Sequence, residues 1–115
     1  MPAMYSASVR QKDITEKILL ELVSDNPDII VVTNHVKSTP VKRGGKNIMD
    51  IYYRKDAIRI NISKKTSQYN VYKQLLDEGI AYQKDTANPD STNGVFAFFV
   101  GENNVKDALK RLITI

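Results

Sequence analysis

The side chains best suited to binding chemistry are cations that alternate with aromatic rings in one central segment of the chain. Between His35 and Lys73 the sequence has ten basic and two acidic residues, a net charge of +8, whereas the remaining residues sum to −4. The segment also has four tyrosines, Tyr52, Tyr53, Tyr69 and Tyr72. Because cations displace the counterions of a polyanion and aromatic rings stack or hydrogen-bond, the pattern predicts a surface that binds a polyanion such as nucleic acid. The alternative is a solvated surface that is merely rich in lysine.

Arg54 and Arg59 form the most specific candidate within this segment. They lie in two strands predicted to form a hairpin, where they are expected to face each other on the exposed side, with Tyr52 opposite Asn61 as the next pair. Like charges opposed across a strand pair are unfavourable unless an anion lies between them, and guanidinium groups suit phosphate. We therefore predict a phosphate clamp of Arg54 and Arg59, with Tyr52 and Asn61 as base or sugar contacts. In the alternative, two solvated arginines splay apart.

The second candidate is the basic sequence Lys42-Arg43-Gly44-Gly45-Lys46. It resembles a phosphate-cradling loop only loosely, because it lacks the Gly-Lys-Ser/Thr ending and the preceding strand of a nucleotide-binding loop. The functional interpretation is a basic arm in which Lys42, Arg43 and Lys46 reach a nucleic-acid backbone. An ordinary exposed turn is the alternative.

Residues suited to catalysis or metal binding are sparse. The chain has no cysteine and one histidine, His35, without a serine or an acid at the spacing of a catalytic triad. Asp50 lacks the second acid that a metal-dependent nuclease core needs on the following strand. Asp85 and Asp90 have no third ligand at the spacing of a calcium site. We therefore predict no catalytic residue, no metal site, no cofactor and no enzymatic activity.

The composition indicates one globular domain outside the membrane. A chain of 115 residues, 42% hydrophobic and 26% charged, is large enough for a single core. No segment approaches the ~18 consecutive apolar residues of a membrane span, and the first four residues lack the features of a signal peptide. The absence of cysteine suits a reducing compartment, so we expect a cytoplasmic protein without membrane contact. We predict a loose N-terminal segment, residues 1–12, and a single α+β domain, residues 13–115.

The elements that must position these side chains follow the order αβββαββα, an antiparallel sheet with helices packed on one face. The first helix is predicted to begin at Asp13, with Glu16 as its capping-box partner, and to end before Pro27. A strand follows at residues 29–33. Residues 37–47 are expected to form a basic loop or an irregular strand.

The central hairpin, residues 48–64, has the clearest alternation of apolar and polar residues. A two-residue link at Asp56 and Ala57 pairs residues whose numbers sum to 113, so that Ile51 faces Ile62 and Tyr53 faces Ile60. The side chains expected to be buried are Met49, Ile51, Tyr53, Ile58, Ile60 and Ile62.

The second half of the chain is predicted to add two helices and two strands. One helix runs from Ser67 or Gln68 to Glu78 with Gly79 as its left-handed end, and the other starts at Asn103 or Asn104. Residues 80–84 and 95–100 are expected to be strands, joined by a flexible tip at residues 85–94. The side chains expected to face inward from the helices are Val71, Tyr72, Leu75, Leu76, Val105, Ala108, Leu109 and Leu112. Phe96, Phe98 and Phe99 are interpreted as sheet core rather than as a stacking platform, because the segment is continuously apolar.

With its elements in this order, the chain resembles the C-terminal DNA-binding domain of the middle-promoter transcription activators of tailed phages, a small double-wing fold. The pattern covers residues 13–115 and includes the helix ending Leu75-Leu76-Asp77-Glu78-Gly79. In that family the sheet and its wings contact DNA. The resemblance implies DNA contacts here at Lys42, Arg43, Lys46, Arg54 and Arg59.

These observations lead to one expectation and one alternative. The expectation is a non-enzymatic nucleic-acid-binding domain, a small phage or bacterial transcription regulator whose partner is DNA rather than RNA. The alternative is a protein-binding module or inhibitor that captures an acidic host partner through the same basic residues. The expected nucleic-acid contacts are Lys42, Arg43, Lys46, Tyr52, Arg54, Arg59 and Asn61.

Overall fold

The computed structural model describes residues 3–33, 38–54, 56–63, 67–83 and 95–114. These residues form α-helices and an antiparallel sheet, which confirms the predicted α+β class and the order of its elements, with one further strand in the segment left open between a loop and an irregular strand. The elements are α1 (Ala3–Asp25), β1 (Ile29–Val31), β2 (Ser38–Arg43), β3 (Lys46–Tyr53), β4 (Ala57–Ser63), α2 (Gln68–Asp77), β5 (Ala81–Tyr82), β6 (Val95–Gly101), a 3₁₀ turn (Glu102–Asn104) and α3 (Val105–Ile113). The predictions for His35, Asp85, Asp90 and the tip at residues 85–94 lie outside the described residues.

The described strands form one six-stranded sheet in the order β1-β2-β3-β4-β6-β5, with every neighbouring pair antiparallel. Strand β6 lies between β4 and β5, so the connection through α2 carries the chain from one side of β6 to the other. This insertion makes β4 an interior strand with partners on both sides. The position of β4 decides the geometry of the candidate site.

The three described helices pack on one face of the sheet. In β4, the inward side chains Ile58, Ile60 and Ile62 are buried, whereas Arg59 and Asn61 are only half-buried. This alternation follows from the pleat, which points successive side chains to opposite faces. The helices contribute Leu19, Leu75, Leu109 and others to the same core. The other face of the sheet carries side chains such as Tyr52, Arg59 and Asn61, and its large side chains are half-buried or exposed. We call it the open face.

Helix α1 begins at Ala3, so the predicted start at Asp13 is wrong, and residues 3–12 of the segment predicted to be loose are helical. Asp13 is exposed inside the helix and therefore cannot cap it. The buried face of α1 already includes Gln11 and extends through Thr15. The Glu102 carboxylate accepts hydrogen bonds from Arg10 and Gln11, which ties this part of the helix to the turn before α3. The early start therefore depends on polar contacts that apolar periodicity does not reveal.

The segment left open between a loop and an irregular strand contains the regular strand β2. It forms a hairpin with β3 through Gly44 and Gly45, whose φ angles of 58° and 80° suit a tight two-residue turn. The register shifts between Val41 and Lys42, and the extra residue lies on β3. Such a bulge explains why the consecutive residues Ile48 and Met49 are both buried.

The inward faces of α2 and α3 agree with prediction except at one position. Leu76 is 44% exposed, which corrects its predicted burial, because Leu75 beside it already occupies the inward arc. Gly79 ends α2 with a φ of 77°, and the Ile80 amide donates to the Leu75 carbonyl at 2.9 Å. This left-handed stop, predicted from the sequence, directs the chain into β5.

Candidate nucleic-acid interface

The register of the central hairpin differs from the prediction by two residues. Paired residues sum to 111, so that Ile51 faces Ile60 and Tyr53 faces Ile58. At the end of the pair, the Arg54 amide donates to the Ala57 carbonyl at 3.0 Å. The six side chains predicted to be buried are buried, because a shift of two residues keeps every side chain on its face.

Strand β6 explains the position of the turn. Ala57 pairs with Gly101 of β6, and the Glu102 amide donates to the Asp56 carbonyl at 2.9 Å. These contacts draw Ala57 into strand β4, where it is 3% exposed. The prediction of a two-residue link at Asp56 and Ala57 considered only β3 as the partner of β4. The β3–β4 register that it implied is therefore wrong.

The new register changes the neighbours of both arginines, so the clamp of directly opposed arginines is not formed. Arg59 lies opposite Tyr52, and its Cζ atom is 5.8 Å from the centre of the Tyr52 ring. Arg54 lies opposite Ala57 and is exposed, and one of its guanidinium nitrogens donates to the Tyr53 carbonyl at 3.1 Å. The two arginines still share the open face, as diagonal rather than direct neighbours.

Asn61 faces Asp50 rather than Tyr52. Both side chains lie on the open face, one row along the strands from Tyr52 and Arg59. The Asp50 carboxylate accepts hydrogen bonds of 3.1 Å from the Asn47 amide. Asn61 and Asp50 therefore provide hydrogen-bonding groups beside the arginine rather than an opposed pair with Tyr52.

Strand pairing aligns a row of side chains across five strands of the open face. Tyr52 pairs with Ser38 on one side and Arg59 on the other; Arg59 pairs with Phe99, and Phe99 pairs with Tyr82. The Tyr82 and Phe99 rings are nearly parallel, at 23°, with centroids 5.8 Å apart. We call Tyr52, Arg59, Phe99 and Tyr82 the aromatic row.

Sequence reasoning missed Phe99 and Tyr82 as site residues. The core interpretation is right for Phe98, which is fully buried and packs against Tyr72, but Phe99 points to the open face and is only half-buried. Tyr82 is 39% exposed. The small residue Ala97, two positions before Phe99, was the available signal that alternate positions of β6 face away from the core.

The three residues of the predicted basic arm are divided between the two faces. Lys42 lies on the open face, where it pairs with Ile30 and Asn47. Arg43 and Lys46 pair with each other on the helix-covered side. The hairpin is therefore not an arm whose three cations point to one ligand.

Arg43 makes contacts within the fold. Its Nε atom lies 3.0 Å from Asp28 Oδ2, and its guanidinium donates to the Ile113 carbonyl in the last turn of α3. A cation at a helix C-terminus satisfies the last carbonyls and interacts favourably with the helix dipole. Arg43 thus joins the β2–β3 hairpin to α3, and its contact with a nucleic-acid backbone stays a prediction from the sequence.

The cations of the open face differ electrostatically from several on the other side. Arg10 pairs with Glu102, Lys12 with Glu16, and Arg111 with Glu78 and Asp107. Within the described residues, Lys42, Arg54 and Arg59 form no salt bridge. In the described fold these open-face cations therefore have no carboxylate within salt-bridge distance, and Asp50 is an acid that shares their face.

A buried polar chain supports β3 from the core side. The Tyr53 hydroxyl donates to Thr39 Oγ1 at 2.5 Å, and Thr39 donates to Glu16 Oε2 at 2.8 Å. Lys12 Nζ also lies 2.8 Å from this carboxylate oxygen. Burial raises the pKa of the Tyr53 phenol above its ordinary value, Glu16 adds to the rise, and the Thr39 hydrogen bond opposes it. Tyr53 is therefore a neutral structural donor behind Tyr52 and Arg54.

Comparison with protein-family models, curated proteins and solved structures gives no match for this chain. The resemblance to the phage activator domain therefore stays a prediction from the pattern of elements. None of the helices in the described part of the chain has the length and apolar character needed to cross a membrane.

Proposed function

We propose that this protein binds nucleic acid through the open face of its sheet. The observation that carries the proposal is the set of cations on that face, Lys42, Arg54 and Arg59, which have no carboxylate partner in the described structure. Unpaired surface cations attract the phosphate backbone and release its counterions, and this release supplies most of the affinity of sequence-independent binding. The protein needs no catalytic group for this function.

Side chains near the cations support nucleic acid as the polyanion. Tyr52 lies against Arg59 and presents a π face, while Asn61 and Asp50 present hydrogen-bonding groups beside them. A ligand with phosphate alone would use only the cations, whereas a nucleotide also has a base that stacks and hydrogen-bonds. Arg54, Arg59 and Lys42 are assigned to phosphate, and Tyr52 and Asn61 to base or sugar. Transcription regulation, and DNA rather than RNA as the partner, stay predictions from the sequence.

The test is a salt titration of binding. Fluorescein-labelled oligonucleotides of random sequence, single-stranded and duplex, are titrated with the protein, and binding is followed by fluorescence anisotropy. The titrations are repeated between 20 and 300 mM KCl, a range that spans roughly a fourfold change in Debye length. We expect affinity that falls steeply with salt, with a slope equivalent to about three to six phosphates.

The alternative is a module that captures an acidic protein, and it predicts a different outcome. In that case neither oligonucleotide binds even at 20 mM KCl, at which surface electrostatics are strongest. The proposal would then be wrong. A pull-down with the purified protein as bait would next ask whether one acidic partner binds in stoichiometric amount.

A further inference from the structure

We infer that the aromatic row binds an unpaired nucleic-acid strand, with bases stacked on its rings, and that the protein prefers a single strand to a duplex. The inference rests on the proposed function and adds the class of ligand. It depends on the observed register, which aligns Tyr52, Arg59, Phe99 and Tyr82 across four adjacent strands of the open face. Without this register, the rings would not form a line.

The dimensions of the row suit more than one base. Adjacent strands are roughly 4.8 Å apart, so Tyr52 and Tyr82 are about 14 Å apart across the sheet. In one half of the row Arg59 Cζ lies over the Tyr52 ring, 5.8 Å from its centre, and in the other half the Phe99 and Tyr82 rings stack on each other with centroids 5.8 Å apart. Because the facing π surfaces within each pair are already in contact, a base stacks on the outer ring face of Tyr52 or of Tyr82, the residues at the two ends of the row.

A duplex cannot use these rings. Its bases already stack on one another, so a protein surface outside the helix meets phosphates and base edges rather than base faces. The open face of a sheet then contacts the backbone through Arg59 and Arg54, while the rings of the aromatic row lose water without gaining contact with a base. An unpaired strand instead satisfies both sets of groups, since its bases reach the rings and its phosphates reach the cations.

The cations of the open face attract the phosphates of such a strand to the edges of the aromatic row. Arg59 lies within the row, and Arg54 lies beside it, directly after the end of β3. Lys42 lies about four residues away along β2, roughly 13 Å. Asn61 and Asp50 lie between Lys42 and the row. The Asp50 carboxylate and the Asn61 side-chain nitrogen can hydrogen-bond the polar edges of bases that stack nearby, whereas Asn61 Oδ1 is buried. The face therefore combines π surfaces, cations and hydrogen-bonding groups within one patch.

The experiment compares one sequence of 12 nucleotides as single-stranded DNA, single-stranded RNA and duplex DNA, each labelled identically, at 100 mM KCl. We expect at least one single strand to bind on the order of ten-fold more tightly than the duplex. Whichever of single-stranded DNA and single-stranded RNA binds more tightly identifies the class of nucleic acid that the protein prefers. Changing Phe99→Leu or Tyr82→Leu keeps an apolar side chain but removes the ring, and each is expected to weaken single-strand binding on the order of ten-fold.

Two matched variants separate stacking from general damage. Phe99→Tyr retains the π face and is expected to retain single-strand affinity. Tyr69→Leu removes a ring from α2, outside the row, and is expected to leave affinity within about two-fold of the parent, a change of roughly 0.4 kcal/mol at RT of about 0.6 kcal/mol. Circular dichroism and thermal unfolding of every variant verify that the fold persists. Removing a ring is expected to leave the salt slope unchanged, because no cation is lost.

The outcomes distinguish this inference from the function on which it rests. If the duplex binds as tightly as both single strands, or if folded Phe99→Leu and Tyr82→Leu bind a single strand like the parent, the inference is wrong and the proposed function stands. If no nucleic acid binds at 20 mM KCl, a condition that favours electrostatic contacts, both are wrong.

Discussion

Arg59 and Tyr52 face each other across β3 and β4, with the guanidinium carbon 5.8 Å from the centre of the tyrosine ring. A guanidinium at this distance from an aromatic face is attracted by the ring quadrupole. A guanidinium that lies over a ring keeps N–H donors with which it can bind phosphate. The pair therefore presents a ring and a cation at one point on the open face.

The double substitution Arg54→Ala with Arg59→Ala is expected to weaken nucleic-acid binding by roughly 2–4 kcal/mol, at about 1–2 kcal/mol for each charge-assisted contact. The salt slope should become shallower by about two phosphates. Lys106→Ala with Lys110→Ala removes the same charge from the exposed side of α3 and is the matched control. Equal losses in the two double variants would show that net charge, rather than the open face, determines affinity.

Arg43→Ala is expected to lower the free energy of unfolding by about 1–2 kcal/mol, because it removes a charge-assisted bond to α3 and a partly exposed ion pair. The lost contacts include those to Ile113 and Asp28. Lys46→Ala, at the paired position, removes an equal charge and is expected to leave stability nearly unchanged. Urea unfolding measures both. If Arg43→Ala unfolds like the parent, the hairpin does not depend on this link.

Thr39→Val is expected to destabilise the protein more than Tyr53→Phe does. Tyr53→Phe removes one donor and costs about 1 kcal/mol, whereas Thr39→Val leaves the buried Tyr53 hydroxyl without its acceptor and removes a donor to Glu16, at roughly 2–3 kcal/mol. Thermal and urea unfolding give the comparison. The reverse ranking would indicate that the Tyr53 hydroxyl finds another acceptor when Thr39 is replaced.

Stability is expected to decline at alkaline pH through Tyr53. Burial raises the pKa of this phenol in the folded state above its ordinary value of 10.0, so the unfolded chain loses the proton first as pH rises. Below pH 10 the neutral phenol makes its full contribution to the free energy of unfolding. Above pH 10 this contribution falls by about 1.4 kcal/mol per pH unit for one proton. Unfolding of the parent and of Tyr53→Phe between pH 9 and about 11 tests this. A steeper decline in Tyr53→Phe than in the parent would contradict the assignment.

We expect no cleavage of nucleic acid in the presence of magnesium. Asp50, the acid considered for a nuclease core, faces Asn61 and accepts hydrogen bonds from the Asn47 amide. Binding should therefore be unchanged by EDTA, and labelled single-stranded and duplex DNA should stay intact on denaturing gels. Magnesium-dependent cleavage that Asp50→Ala abolishes would show that this side chain is catalytic.

Local sequence patterns determined the class of the fold and the face of most side chains. Strict alternation in β4 predicted that Ile58, Ile60 and Ile62 are buried and that Arg59 and Asn61 are not. Burying apolar area stabilises the fold and each strand has a period of two, so this assignment needs no knowledge of the partner strands. The same reasoning identified Gly79 as the end of α2, since its conformation depends on local geometry.

Only the tertiary structure decided which side chains are neighbours. The β3–β4 pairing in which residue numbers sum to 111 buries the same residues as the predicted pairing in which they sum to 113. The pairing of Ala57 with Gly101 selects between the two. This choice places Tyr52 rather than Arg54 opposite Arg59 and continues the row to Phe99. The insertion of β6 between β4 and β5 likewise brings Tyr82 beside Phe99. Hydrophobic patterning is unchanged by a shift of two residues, whereas strand pairing depends on backbone hydrogen bonds between segments distant in sequence.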